Sequence, residues 1–145
     1  MLELAKDLAT SAHAGAFDKA GKPYILHPTF VAGLVADATG DEELVAAAWL
    51  HDVVEDTEIT IEDLRARGFS ERVLATVAAV SRKDGETYSE FIDRIVDRDA
   101  AIVKTADILH NTSAERSASL PVSLAKRYAA ALSSLDDRFD TLKLF

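Results

Sequence analysis

Apolar side chains recur every three or four positions along most of this chain, while strict apolar–polar alternation is short and poorly bounded, so the backbone is directed toward helices and away from strands. A first helix is expected over residues 2–13, with Leu4, Ala5, Leu8 and Ala12 on one side. Residues 15–28 carry two glycines and two prolines and read as a structured loop. Pro28 suits a first helical turn because its missing N–H would go unpaired there anyway, which puts His27 at or near the N-cap of a helix running to about Ala38. The Gly40-Asp41 break opens a third helix, capped by Asp41 and continuing through Leu44, Val45, Ala48, Leu50 and Val53. Thr60, with Glu62 and Asp63, starts a short helix that Gly68 ends, and Ser70 with Glu71 opens another to about Val80. Beyond Gly85, helices are expected over 87–96, 99–113 and 121–139, the last with Leu124, Tyr128, Ala131, Leu132 and Leu135 spaced for packing. A chain of 145 residues suits one continuous core, so the expectation is an all-α, single-domain helical bundle over 1–145.

The 25 acidic residues outnumber the 16 basic ones, giving a formal charge of −9 that repels polyanions and argues against broad nucleic-acid binding. A phosphorylated small molecule would need local help, and a divalent cation is the strongest local charge available for it. The absence of cysteine rules out disulfides, zinc ribbons and thiolate nucleophiles. The opening MLELAKDLAT interrupts its apolar positions with charge, and no run approaches the ~20 apolar residues of a membrane span. Residence in the cytoplasm is therefore expected, with no membrane partner.

Each helical residue advances about 100°, so His51, Asp52, Glu55 and Asp56 would share a sector of roughly 140° on a continuous helix and look into one cleft. A solvated helix end bearing a charge cluster would read the same way. Against that bland reading, the apolar run LVAAAWL leads directly into His51, and imidazole with carboxylate is the donor set a first-row divalent metal takes when no thiol is present. A second set, Lys104, Asp107 and Asn111, is spaced three and four residues apart on one helix face. His13 and His110 read as structural histidines. There is no phosphate-cradling glycine loop and no nucleophile elbow.

The three blocks AHAGAFDKAGKPYILHP, LHDVVEDT and VKTADILHN, in this order over roughly residues 12 to 112, resemble the HD-domain phosphohydrolases. The resemblance is closer to the hydrolase domain of the Rel/SpoT-type alarmone enzymes and their small stand-alone relatives. It implies His27, His51, Asp52 and Asp107 as ligands of one metal, Mn²⁺ in the alarmone hydrolases. It also implies that Glu55 and Asp56 orient or deprotonate the attacking water and assist the leaving group, one of them with a raised pKa if the two lie close. Lys19 matches a phosphate-contacting cation and Asn111 a sugar-contacting amide, with Lys104 beside it as a further substrate contact; Lys19 and Lys22 as solvated lysines, and Tyr24 as a packed ring, are the plain alternatives. The implied activity is guanosine 3′,5′-bis(diphosphate) 3′-pyrophosphohydrolase-like, on a small-molecule nucleotide.

Two departures matter. Asp18 stands where the family carries an arginine that stacks on guanine, and a carboxylate cannot supply that contact. The segment TSAERSASL after Asn111 also lacks the usual continuation, while Arg82 and Lys83 near a helix end could hold phosphates or merely complement the helix dipole. The alternatives are a phosphatase for another nucleotide or phosphorylated metabolite, and a catalytically idle nucleotide-binding module. With no synthetase or regulatory domain in these residues, hydrolysis or binding alone is expected.

Overall fold

The helical spacing is realised as ten α-helices and a closing 3₁₀ turn, with one isolated bridge, Phe17 to Pro23, as the only extended pairing. The computed structural model describes residues 1–145. In chain order the helices are α1 (Leu2–Ala12), α2 (Leu26–Thr39), α3 (Glu42–Leu50), α4 (Val53–Asp56), α5 (Ile61–Ala66), α6 (Glu71–Ala79), α7 (Tyr88–Asp93), α8 (Arg98–Asn111), α9 (Ala114–Ser117) and α10 (Val122–Phe139).

Two helices organise the rest. In α3 the run Ala46-Ala47-Ala48 is wholly buried, and these small side chains let α1, α2, α6 and α8 approach from several sides. In α8 ten residues are buried, from Ala100 to His110, so this helix threads the core with α2, α3, α6 and α10 around it. Its apolar residues, Ala100 to Val103 with Ala106 and Ile108, point to every side of the helix, so burying them takes the whole helix into the interior. The polar residues that α8 carries, Lys104, Asp107 and His110, are therefore carried inside with it and must find partners there.

Several expected helix starts are seen in their hydrogen bonds. The Asp41 carboxylate accepts from the Glu43 and Leu44 N–H groups, Thr60 and Asp63 form a capping box, and Ser70 accepts from Val73. Elsewhere the boundaries differ. Helix α2 begins at Leu26, so His27 lies within its first turn. Helix α7 stops at Asp93, α8 starts at Arg98 behind an Asp97 cap and ends at Asn111, and α9 forms where no helix was expected. Leu4 is 38% exposed, and Ala9 takes its place on the buried face of α1.

The most consequential difference is in the third helix, expected to run through Val53. It ends at Leu50; His51 and Asp52 form a turn, and α4 starts anew. The His51 ring Nδ1 lies 2.7 Å from the Ala48 carbonyl, which also receives the His51 backbone N–H at 3.4 Å. That i, i−3 closure tightens the last turn and re-aims the residues that follow. The continuous-helix sector drawn for His51, Asp52, Glu55 and Asp56 does not exist, although Asp52, Glu55 and Asp56 still line one cleft, with His51 buried behind Asp52.

Candidate metal centre

His27 from α2, His51 and Asp52 from the turn, and Asp107 from α8 come together with one donor atom of each within 4.8 Å of all the others, and all but the buried His51 line the floor of a cleft. His27 Nε2 is 2.8 Å from Asp107 Oδ1 and 3.6 Å from Asp52 Oδ2; His51 Nε2 is 3.0 Å from Asp52 Oδ2, 3.3 Å from His27 Nε2 and 3.4 Å from Asp107 Oδ1. Donors about 2.0–2.2 Å from a shared cation are roughly 3 Å apart when adjacent, so these edges fit a divalent metal with two nitrogen and two carboxylate ligands. His51 passes a second test. Its Nδ1–H is committed to the Ala48 carbonyl, which leaves the Nε2 lone pair facing the cluster.

The electrostatics are those of a site built to hold positive charge. Burial alone would raise the Asp107 carboxyl, but the Lys104 ammonium and hydrogen bonds from His27 and His51 outweigh it and keep the group well below the usual range. Asp52 follows the same pattern, with burial opposed chiefly by the charge and hydrogen bond of His51. Conversely, burial would lower His51, and the two carboxylates instead push it well above the ordinary imidazole value.

Glu55 and Asp56 stand exposed at the rim of this cleft, and Glu55 Oε2 accepts from the backbone N–H of Arg82 at 3.1 Å. Asp56 is raised to about 6, by desolvation first and then by the charges of Asp52 and Glu55. The expected carboxylate of raised pKa is thus Asp56. Arg94 fastens the connection bearing Arg82 by donating to the Ala79 and Ser81 carbonyls and pairing with Glu86.

Lys104, expected as a substrate contact, lines the cleft but has its ammonium engaged from within the protein. Its Nζ donates to Asp107 Oδ2 at 2.7 Å, the residue is 8% exposed, and the ammonium lies 5.1 and 5.5 Å from the Phe91 and Tyr88 ring centroids. The ammonium is held by a carboxylate of the four-residue cluster. Asn111 Nδ2 donates to Asp107 Oδ1 at 3.2 Å and lines the cleft, whereas Lys19 is exposed on a neighbouring one. Asp18 folds back into its own loop, where Oδ1 accepts from the Ala20 and Lys22 N–H groups, each at 2.9 Å. The loop thereby keeps its shape with no arginine at that position.

Four contributors were not legible from spacing. The Tyr24 hydroxyl donates to Asp52 Oδ2 at 2.6 Å, so this ring does more than pack. His110 Nδ1 sits 2.7 Å from His27 Nδ1. Arg116 and Arg127, from α9 and α10, line the cleft, and Arg116 also lines the next one. That adjoining cleft, of about 410 Å³, is walled by Phe17, Leu26, Phe30, Leu120 and Leu124 and shares Tyr24, His27, Asn111 and Tyr128 with the first. His13 behaves as a structural histidine, buried against the Tyr24 ring at 4.9 Å.

Helical layers that present two histidines and two aspartates to one point define the class, and comparison with known proteins agrees. The HD domain family model matches residues 5–106, and the chain belongs to that family. Among curated relatives, it is 40% identical over 115 residues to the probable guanosine-3′,5′-bis(diphosphate) 3′-pyrophosphohydrolase of Synechocystis sp., covering 71% of this chain and 15% of the relative. It is 38% identical over 120 residues to a GTP pyrophosphokinase of Streptomyces coelicolor, covering 76% of this chain and 14% of that protein. The chain thus spans about a seventh of these curated relatives. A solved structure described as a metazoan ortholog of SpoT that hydrolyzes ppGpp superposes with a TM-score of 0.72 at 25% identity, over 99% of this chain and 96% of the other. No helix is long and apolar enough to cross a membrane.

Proposed function

We propose that residues 1–145 form one HD-type hydrolase unit, metal-dependent and acting on a nucleotide, with removal of the 3′-pyrophosphate of guanosine 3′,5′-bis(diphosphate) as the reaction it fits best. The observation that carries this reading is the convergence of His27, His51, Asp52 and Asp107 at or just behind the floor of a cleft that opens into an apolar one of about 410 Å³. Phosphate at the first and a nucleoside in the second would fit the shared wall of Tyr24, Asn111 and Arg116. The activities named for the Synechocystis relative and the SpoT ortholog support the same substrate.

The four ligands would hold a divalent cation, which we take to be Mn²⁺. When bound, it supplies Lewis-acid polarisation of phosphate oxygens and makes water easier to deprotonate. Glu55 takes the proton of the attacking water, whose oxygen forms the new bond to phosphorus. The bond from phosphorus to the ribose 3′-oxygen breaks, and Asp56, protonated up to about pH 6, supplies the proton that the departing oxygen needs. Asn111 contacts the sugar, and Lys19, Arg116 and Arg127 face the anionic parts of the substrate. Lys104 acts through Asp107. The same reading puts the protein in the cytoplasm.

Asp18 favours a second substrate, a nucleotide with another base, because its carboxylate takes the position of a stacking cation. One experiment separates the readings: phosphate and pyrophosphate release from a nucleotide panel that includes ppGpp, with Mn²⁺ or EDTA, for wild type and Glu55→Ala. Mn²⁺-dependent pyrophosphate release from ppGpp, lost in the variant, is the expected result. Turnover confined to other nucleotides moves the assignment to the second substrate. Silence throughout overturns the hydrolase and leaves a binding module.

A further inference from the structure

A histidine with no role in the reaction described above sits directly behind one of the ligands. His110 is 4% exposed, its ring lies 15° from parallel to His27 at a centroid separation of 5.0 Å, and the two Nδ1 atoms approach to 2.7 Å. Phe30 covers its other face at 4.3 Å. Two ring nitrogens at hydrogen-bond distance need one proton between them, and which ring carries it decides what His27 can do.

If the proton is on His110, His27 must accept at Nδ1, and a neutral His27 then bears its own hydrogen on Nε2, aimed at Asp107 Oδ1 2.8 Å away. A protonated Nε2 has no lone pair for a cation. If the proton is on His27, its Nε2 lone pair is free toward the cluster, and His110 bears its hydrogen on Nε2, facing the Glu115 carboxylate at 3.8 Å. Only the second arrangement makes His27 a ligand. We propose that His110 is a positioning residue of the metal centre: by accepting the His27 Nδ1–H it fixes the tautomer and ring plane in which His27 can bind a divalent cation. The inference rests on the metal-centre reading above and assigns His110 neither a ligand role nor contact with the reacting atoms. Metal-bound histidines ordinarily pass their second N–H to a carbonyl or carboxylate, as His51 does to Ala48. Here a second imidazole would serve that end.

The test is a calorimetric titration of metal-free protein with Mn²⁺ for wild type, His110→Asn and His110→Leu, with the unfolding temperature of each metal-free form measured alongside. The asparagine carbonyl can stand where Nδ1 stands and accept the same proton; leucine fills the space and cannot. The expected result is affinity within about threefold of wild type for His110→Asn and a loss of about 10–100-fold for His110→Leu. Equal binding by His110→Leu and wild type would overturn the proposal. So would an asparagine variant as weak as the leucine one, since that pattern marks packing alone. Long-range ¹H–¹⁵N correlation of the Zn²⁺-loaded wild type provides a second readout, expected to place the hydrogens on His27 Nδ1 and His110 Nε2; a hydrogen on His110 Nδ1 would refute it. Failure of wild type to bind either metal would sink the metal centre itself, an outcome distinct from wild-type binding that His110→Leu leaves intact.

Discussion

Replacing Lys104 by methionine should destabilise the metal-free protein far more than the metal-loaded one. The Lys104 ammonium is enclosed by Asp107, Phe91 and Tyr88, and methionine keeps much of its stem while removing the charge. Breaking one side of a buried ion pair costs about 3–5 kcal/mol. Asp107 retains His27, His51 and Asn111 as neighbours at 2.8, 3.4 and 3.2 Å, which argues for the lower end, about 3 kcal/mol. At roughly 3 °C per kcal/mol for a domain of this size, the unfolding temperature in EDTA should fall by about 10 °C. In Mn²⁺ the carboxylate has a cation again, and more than half of that deficit should disappear. Acid should narrow the difference too. The Asp107 carboxyl is held below its ordinary value, so its contribution is present at neutral pH and is lost as pH falls through the folded-state value. Thermal unfolding of both proteins with EDTA and with Mn²⁺ measures this. A drop under about 2 °C in EDTA, or an equal drop under both conditions, would refute the reasoning.

Tyr24→Phe removes the hydroxyl that donates to Asp52 at 2.6 Å and should weaken Mn²⁺ binding or turnover by about 10–100-fold, read by titration and steady-state kinetics. In Asp56→Asn, kcat/KM should lose the limb that wild type shows near or below pH 6; because the protonated acid is the active form, that limb in wild type falls as pH rises, and an unchanged profile would remove Asp56 as the acid. Asp18→Asn should keep the 16–24 loop, since an amide oxygen accepts from Ala20 and Lys22 equally well, whereas Asp18→Ala should raise KM through a loosened loop; equal KM values in both would refute this. Arg116→Ala should raise KM several-fold with little change in kcat, a split that kinetics at varied substrate would show.

The helices were legible because burial imposes a period on side chains, and Asp41, Thr60 and Ser70 mark their starts with polar caps. The four residues of the candidate metal centre were named through resemblance, and the blocks that carried it contain all four. What spacing could not yield was the break after Leu50, because the competing partner is a carbonyl of the same helix claimed by the His51 ring. Lys104 hid its partners for a related reason. On a helix drawn alone it shares a face with Asn111, but whether that face meets solvent or core depends on α10 and α7 closing over it. Tyr24, His110, Arg116 and Arg127 are tertiary contributors brought from separate segments, and no local period announces them. The phrase TSAERSASL, which departs from the family, supplies Arg116, which lines both clefts, and Glu115, which lines the adjoining one.

The turn at His51–Asp52 gives the centre an uneven connectivity. Two ligands are covalent neighbours and cost almost no chain closure to bring together, while His27 lies 24 positions before His51. Asp107 comes from a third segment, much farther along the chain. An ion held there is in effect a staple through three stretches of polypeptide, with the neighbouring pair as a single anchor. Its grip would then be felt mainly as two long loops that cannot open independently. Resistance to proteolysis between α4 and α8 becomes a property of the metal content of the protein.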